Sequence, residues 1–246
     1  MRRIFTSTVL TAGLLFGGSA GLVFGSSAAL AENTLSPLHF QSDGALGSYD
    51  LAAAQRGFLV YQNVCAGCHS ANALHYRDLE ALGFSPDQVA GIASSVKQAD
   101  GSAATLNDVF KDPDAKASSF GGALPPDLSN IVNERPKGLR YVYELLTGYG
   151  AAPGDVTLLP GHYYNTVYPG NQIAMPAPLK GNDVAYADGT KATAQQEAAD
   201  VSTFLAWAAD PNLNTRREIG LRAVIFLVFL TIIAIASKRK IWLETV

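Results

Sequence analysis

The chain has 246 residues, of which 16% are charged, and it contains only two cysteines. Residues 32–215 hold 10 Lys+Arg against 19 Asp+Glu, a net charge of −9, whereas residues 216–246 hold 6 against 2, a net charge of +4. An acidic domain argues against nucleic-acid binding and suits capture of a basic partner. Two cysteines also exclude a framework of several disulfides.

The N-terminal stretch has the form of an export signal. Met1-Arg2-Arg3 is a basic start, an apolar stretch of small residues follows, and Ala29-Leu30-Ala31 matches the A-x-A form of a signal-peptidase site. The pattern predicts a cleaved signal peptide at residues 1–31, with an uncleaved anchor as the alternative. We therefore expect residues 32–215 to form one exported domain.

Helical spacing of apolar residues runs through much of the chain, and the segments are residues 50–64, 76–82, 86–97, 139–146 and 195–209. Asp50 and Ser85 stand where helix N-caps belong. In the last segment, apolar residues recur on one side, which is typical of an amphipathic helix; they are Ala198, Val201, Leu205 and Ala208. Residues 98–122 are predicted to be a long surface loop, and residues 151–180 a loop rich in Pro, Gly, Tyr and Asn. Strand signals are few and short, so the sequence predicts a mainly α fold with long loops.

The residues that carry chemistry are Cys65-Ala66-Gly67-Cys68-His69, directly after the first predicted helix. A C-x-x-C-H run is typical of covalent haem attachment, in which two thioethers hold the macrocycle and the imidazole binds its iron. If the run begins a helix, Cys65 and His69 share one face. The alternatives are a thioredoxin-like redox pair, which does not need the histidine, and half a zinc site, which needs at least three protein ligands.

The second axial ligand of such a haem has four candidates, namely Met175, His162, His39 and His75. Met175 is the only methionine after the signal, and it lies in a loop rich in proline. His162 is the rival, although a loop histidine is often hydrogen-bonded to the backbone. A His/Met pair raises the reduction potential and leaves no open coordination position, which favours electron transfer. A five-coordinate haem favours gas binding instead.

The C-terminal part contains a wholly apolar run at residues 223–236. With its flanks the run reaches about the 20 residues that cross a bilayer. We expect a transmembrane anchor helix at residues 216–237. A buried core helix is the alternative interpretation.

Basic residues suggest the orientation of this anchor. Lys238-Arg239-Lys240 follow it at once, and the positive-inside rule then puts residues 238–246 in the cytoplasm and the haem domain outside. Arg216 and Arg217, at the other end, run against this count.

Several stretches together resemble the cytochrome c1 family, the haem-bearing subunit of ubiquinol–cytochrome c oxidoreductase. They are Arg-Gly-Phe-Leu-Val-Tyr at 56–61, Gly-Ala-Leu-Pro-Pro-Asp-Leu-Ser at 122–129, Leu-Leu-Thr-Gly-Tyr at 145–149, Ile-Ala-Met-Pro at 173–176, Tyr-Ala-Asp-Gly-Thr at 186–190 and Phe-Leu-Ala-Trp-Ala at 204–208. The resemblance implies a cytochrome c-like haem domain with one C-terminal anchor helix. It implies one haem c bound covalently by Cys65 and Cys68, axial ligands His69 and Met175, and haem packing by Pro125 and Pro126.

The resemblance also implies a function and partners. The chain is expected to pass single electrons from a Rieske iron–sulfur protein to a cytochrome c, within a dimeric complex that contains cytochrome b. The complex is expected in the bacterial inner membrane, with the haem domain in the periplasm, where it supports respiratory or photosynthetic electron transport. The alternatives are an anchored gas sensor and a free-standing anchored cytochrome c carrier.

Overall fold

A computed structural model of the chain describes residues 39–98, 100–111 and 123–244. The helices of this part are α1 (Leu51–Val60), α2 (Pro86–Ser95), α3 (Ile131–Glu134), α4 (Leu139–Thr147), α5 (Ala194–Ala209) and α6 (Leu213–Glu244). A π-helical segment, Tyr61–Cys65, continues α1, and 3-10 helices cover Tyr76–Leu82 and Pro169–Asn171. Strand β1 (Ala71–His75) pairs antiparallel with β2 (Val109–Phe110), and β3 (Tyr163–Tyr164) pairs with β4 (Gln172–Ile173). The predicted mainly α fold with long loops is confirmed.

The predicted signal peptide, residues 1–31, lies outside the described residues. So do residues 32–38, residue 99, the segment 112–122 and the last two residues of the chain.

Helix starts follow the capping residues that the sequence indicated. The Asp50 carboxylate accepts hydrogen bonds from the backbone N–H groups of Ala52 and Ala53, at 3.0 and 3.1 Å. Ser85 accepts one from the Gln88 N–H, and the Gln88 side chain accepts one from the Ser85 N–H in return. Such caps satisfy donors that have no partner inside the helix. Helix α2 ends at Ser95, two residues before the predicted end.

Helix α5 is the centre of the domain, and it packs against α1, α3 and α4. Gly57 of α1 lies so close to α5 that a Cβ atom there would collide with the Asp200 carbonyl group. Around this crossing, the rings of Phe58 and Tyr61 contact Phe204 with centroid separations of 5.6 and 5.4 Å. The residues of α5 from Glu197 to Trp207 are buried, except for Ala199, which is half-buried. The prediction of a one-sided amphipathic α5 is therefore wrong, because other elements enclose the helix.

Two acidic side chains are buried on α5, and each has hydrogen-bond partners. The Asp200 carboxylate receives a bidentate pair from the Arg56 guanidinium, at 2.9 and 3.1 Å. The Glu197 Oε1 atom accepts from the backbone N–H groups of Asp183 and Val184. Buried charges need such partners because an unpaired charge in a core is costly. The two carboxylates thus tie α1 and residues 183–184 to α5.

The sequence predicts a surface loop at residues 98–122, but the described residues 100–111 of this segment are not all surface loop. They include β2, and Phe110 is buried against Tyr76, with ring centroids 4.2 Å apart. One aromatic residue in a segment rich in Asp and Ser is enough to fix it to the core, and a reading based on the segment's average composition misses this anchor.

Helix α6 is a continuous 32-residue helix whose apolar side chains are exposed. Its Leu213–Leu243 stretch is long and apolar enough to cross a membrane. The exposure excludes the alternative of a buried core helix.

The first turn of α6 is fastened to the domain by two arginines. Arg216 makes a bidentate ion pair with Asp210, at 2.6 and 2.8 Å. Arg217 donates to the backbone carbonyl groups of Ser42 and Gly47. These contacts account structurally for the two basic residues that run against the simple charge count.

Candidate haem-attachment site

The C-x-x-C-H run follows directly on a helix and closes its last turn, instead of beginning a new one. The N–H of Ala66 bonds to the Tyr61 carbonyl group, which closes the π-helical segment. The Cys65 carbonyl oxygen then accepts from the N–H groups of both Cys68 and His69, at 3.0 and 2.9 Å. Cys65 and His69 therefore remain one helical turn apart, and this spacing on one face is what the sequence argument needed.

His69 has a fixed tautomer because of its neighbour. Its Nδ1 atom lies 2.8 Å from the carbonyl oxygen of Pro126. A carbonyl oxygen can only accept, so Nδ1 carries a proton, and in the neutral imidazole Nε2 then has a free lone pair. This is the arrangement in which a histidine can bind a metal through Nε2 while its other nitrogen is held in place.

The Pro125–Ser129 segment is bound to the chain that follows the motif. Asp127 is the main connector, since its carboxylate accepts from the Ser70 hydroxyl at 2.8 Å and from the Asn72 N–H at 2.7 Å. Ser129 accepts from the Ala73 N–H at 2.9 Å. Burial raises the pKa of Asp127, but the hydrogen bonds from Ser129, Asn72 and Ser70 outweigh it and hold that pKa below its usual value. The carboxylate is therefore ionised at neutral pH and available as an acceptor.

The surroundings of the two cysteines do not suit a thioredoxin-like redox pair or a zinc site, the two alternatives to haem attachment. Burial, with a smaller effect of Cys68, raises the pKa of the Cys65 thiol to about 12. A thioredoxin-like redox pair needs a thiolate, and therefore a lowered pKa. Within the part of the chain that the structure describes, no group of three or more His, Cys, Asp or Glu side chains could hold a metal ion, which disfavours zinc. The donors, two thiols and one imidazole in a single turn, fit a haem.

Met175 lies in a separate loop, two residues after β4, and its side chain is half-buried. The hydroxyl of Tyr149, just beyond the end of α4, donates to the Met175 carbonyl oxygen at 3.0 Å. Burial raises the pKa of Tyr149, so its hydroxyl stays protonated and serves as a donor. Pro126 is exposed and Pro125 is half-buried.

The rival histidines have other contacts. His162 Nδ1 lies 3.1 Å from the Pro160 carbonyl oxygen, so the structure gives it the backbone hydrogen bond of an ordinary loop histidine. His75 lies in β1 with its Nδ1 atom 3.5 Å from Asp78, and His39 is exposed.

Asp127 and Tyr149 stand in stretches that carry the family resemblance, but the sequence does not predict their contacts, and no sequence pattern singles out Asn165. Asn165 is fully buried, and its side chain bonds to backbone groups of Leu145, Val167 and Tyr168. A polar residue in a loop is usually exposed. Only its position in the folded chain identifies Asn165 as a connector.

A mostly helical domain with this cysteine–histidine turn fits the class of haem proteins, and its long apolar C-terminal helix could span a membrane. The model of the cytochrome c1 family matches residues 40–245. The chain belongs to the cytochrome c1 family. Membership implies a haem cofactor and a place in a membrane bc1 complex.

Three relatives illustrate the similarity. Cytochrome c1 1, a mitochondrial heme protein of Arabidopsis thaliana, is 39% identical over 212 residues, which cover 81% of this chain and 69% of the relative. Cytochrome c1 of Rhodospirillum rubrum is 37% identical over 229 residues, which cover 81% of this chain and 84% of the relative. Cytochrome b/c1 of Bradyrhizobium diazoefficiens is 34% identical over 238 residues, which cover 82% of this chain and 34% of the relative.

Proposed function

We propose that this chain is the electron-transfer subunit of a quinol:cytochrome c oxidoreductase and that it holds one covalent haem c. Single electrons arrive from a Rieske iron–sulfur protein and leave to a cytochrome c. When bound, the haem supplies an iron that changes its oxidation state by one electron. The chain attaches the haem and provides its axial ligands.

The His69–Pro126 hydrogen bond carries this proposal. It leaves Nε2 of His69 as the free donor atom, and Cys65 and Cys68 lie within the same turn. Cys65 and Cys68 would therefore hold the haem through two thioethers, next to the imidazole that would bind its iron. Pro125 and Pro126 would pack against the haem, since Pro126 contacts the ring of His69.

Met175 is the second axial ligand in this proposal. Its half-buried thioether lies on a loop that Tyr149 fastens to the end of α4. His162 is already bonded to the Pro160 carbonyl group, which makes it the weaker candidate. A His/Met pair leaves no open position for oxygen or substrate, which supports electron transfer over gas sensing.

The partner proposals rest on the family and on the anchor. A relative that carries the name cytochrome b/c1 supports cytochrome b as the membrane partner. We assign the exported haem domain to residues 32–215, the anchor to 216–237 and a cytoplasmic tail to 238–246. Lys238, Arg239 and Lys240 then lie on the cytoplasmic side, and the haem domain lies in the periplasm of a bacterial inner membrane. The complex is a dimer.

Mild detergent extraction tests the assembly. An affinity-tagged chain, purified from its native membrane, is expected to bring a b-type cytochrome and an iron–sulfur protein with it. A reduced-minus-oxidised absorption spectrum should show c-type and b-type haem together. A chain that carries haem but elutes alone under several mild detergents would indicate a free-standing carrier instead.

Acid-acetone extraction tests the covalent haem separately. The parent chain should keep its haem, whereas Cys65→Ala combined with Cys68→Ala should release or never acquire it. Haem that survives extraction in the double variant contradicts attachment at these thiols.

A further inference from the structure

The hydroxyl of Tyr149 and the backbone carbonyl group of Met175 form a single hydrogen bond of 3.0 Å between residues 26 apart in sequence. We propose that Tyr149 is a positioning residue that keeps the Met175 thioether on the iron. The inference rests on the proposed function, in which Met175 is the second axial ligand. Tyr149 acts on the segment that carries the ligand and does not itself bind the iron.

The backbone of Tyr149, the donor residue, is held by hydrogen bonds to neighbouring segments. Tyr149 pairs with Asn165 in an antiparallel bridge, and the Gly148 carbonyl group accepts from the Thr166 N–H at 3.0 Å. The fully buried Asn165 in turn donates to the Leu145 carbonyl group at 2.8 Å. The position of the Tyr149 backbone is therefore set by the end of α4.

The acceptor segment has weaker support of its own. The strands that precede Met175, β3 and β4, have two residues each, and a hairpin this short is marginally stable. Pro176 follows directly and offers no N–H donor. A hydrogen bond from a distant, anchored side chain is a strong constraint on such a segment.

The size of the effect follows from ordinary hydrogen-bond energetics. Loss of one net hydrogen bond changes an equilibrium constant about five- to tenfold. A neutral thioether is released more readily when its loop is free to move. Without the Tyr149 hydroxyl, the fraction of molecules with an open iron position should rise by that factor, and an external ligand should bind correspondingly tighter.

Imidazole titration of the oxidised, haem-loaded full chain tests this inference. The readout is the long-wavelength absorption band of a thioether bound to ferric haem, which disappears as imidazole replaces Met175. Tyr149→Phe should lower the apparent imidazole Kd about five- to tenfold. Tyr163→Phe is the matched control, because it removes the same hydroxyl from an exposed ring on the same hairpin and should leave the Kd unchanged.

Repeating the titration in a Met175→Leu chain distinguishes an effect of Tyr149 on the Met175 thioether from a general loosening of the domain. If Tyr149 acts through the thioether, adding Tyr149→Phe to Met175→Leu should not change imidazole affinity further. Because that background has no thioether band, its imidazole binding is followed by the shift of the main haem absorption band. An equal effect in both backgrounds overturns the inference, as does an unchanged Kd in Tyr149→Phe. Absence of the thioether band from the parent chain overturns the Met175 assignment itself, which is a different outcome.

Discussion

The imidazole of His69 is held by the carbonyl group of Pro126, 57 residues further along the chain, through an Nδ1···O contact of 2.8 Å. Neither residue fixes this geometry alone. Asp127, next to Pro126, accepts hydrogen bonds from Ser70 and Asn72, which follow His69. Two short stretches of chain are thus joined side by side, and the histidine is oriented by the second of them.

Asp127→Ala should loosen this connection. The variant leaves the Ser70 hydroxyl and the Asn72 and Ser129 N–H groups without their shared acceptor, and the free energy of unfolding should fall by about 1–3 kcal/mol. Urea unfolding followed by circular dichroism measures the change. Asp155→Ala is the control, because Asp155 is exposed. Equal stability of the two variants would contradict the connecting role of Asp127.

This connection marks a limit of what sequence alone predicts. The C-x-x-C-H run, the Asp50 and Ser85 caps and the apolar C-terminal stretch are local patterns, so each could be recognised without the fold. The contact of Pro126 with His69 is not local, and proline has no special tendency to meet histidine. The resemblance pointed to Pro125 and Pro126 as packing residues, but the role of the Pro126 carbonyl group emerged only from the structure.

Helix α5 illustrates a second limit. Its apolar spacing predicts one buried face, yet Glu197 and Asp200 are also buried. Arg56 of α1 and the backbone of residues 183–184 supply their partners. From periodicity alone, charged residues are expected to be exposed, because the hydrogen-bond donors that allow their burial come from other segments of the chain.

Lowering the pH should remove the contribution of Asp127 to the free energy of unfolding. Its pKa is lowered in the folded chain, so the stabilisation is present above the unfolded value of about 3.9 and is lost as pH falls through the folded value. The stability difference between the parent chain and Asp127→Asn should therefore be full at pH 6–7 and shrink below about pH 4. Unfolding midpoints measured from pH 3 to pH 7 check this. A difference that stays constant over that range contradicts the assignment of an ionised acceptor.

Met175→Leu should change the haem in two ways. Loss of the thioether should lower the reduction potential and open a coordination position to carbon monoxide in the reduced protein. Potentiometric titration and carbon monoxide difference spectra measure the two effects. His162→Gln is the control for the rival ligand and should change neither. If His162→Gln gives both effects and Met175→Leu gives none, the ligand assignment is reversed.

Arg217→Ala should free the segment that precedes α1. The variant loses two hydrogen bonds to the carbonyl groups of Ser42 and Gly47, and amide hydrogen exchange at residues 42–49 should become at least tenfold faster. Arg222→Ala is the control, since Arg222 pairs with Glu218 on α6 itself. Mass spectrometry of the detergent-solubilised chain measures the exchange. Similar exchange in both variants would mean that Arg217 does not fasten this segment.

Gly57→Ala should destabilise the crossing of α1 and α5, although alanine ordinarily favours a helix. A Cβ atom at position 57 would meet the Asp200 carbonyl group and the Phe204 Cβ atom, so the two helices must move apart. Overpacking of this kind lowers the free energy of unfolding by about 1–3 kcal/mol. Thermal and urea unfolding measure the loss.

Gly91→Ala is the matched control for this prediction. Gly91 lies in the middle of α2, and a Cβ atom there meets no atom within 4 Å. The same substitution should therefore raise the free energy of unfolding by about 0.5–1 kcal/mol, because glycine loses more backbone freedom on folding than alanine does. Opposite signs at the two positions distinguish close helix contact from helix propensity. If Gly57→Ala stabilises the chain as Gly91→Ala does, α1 and α5 do not approach each other as closely as the structure has them.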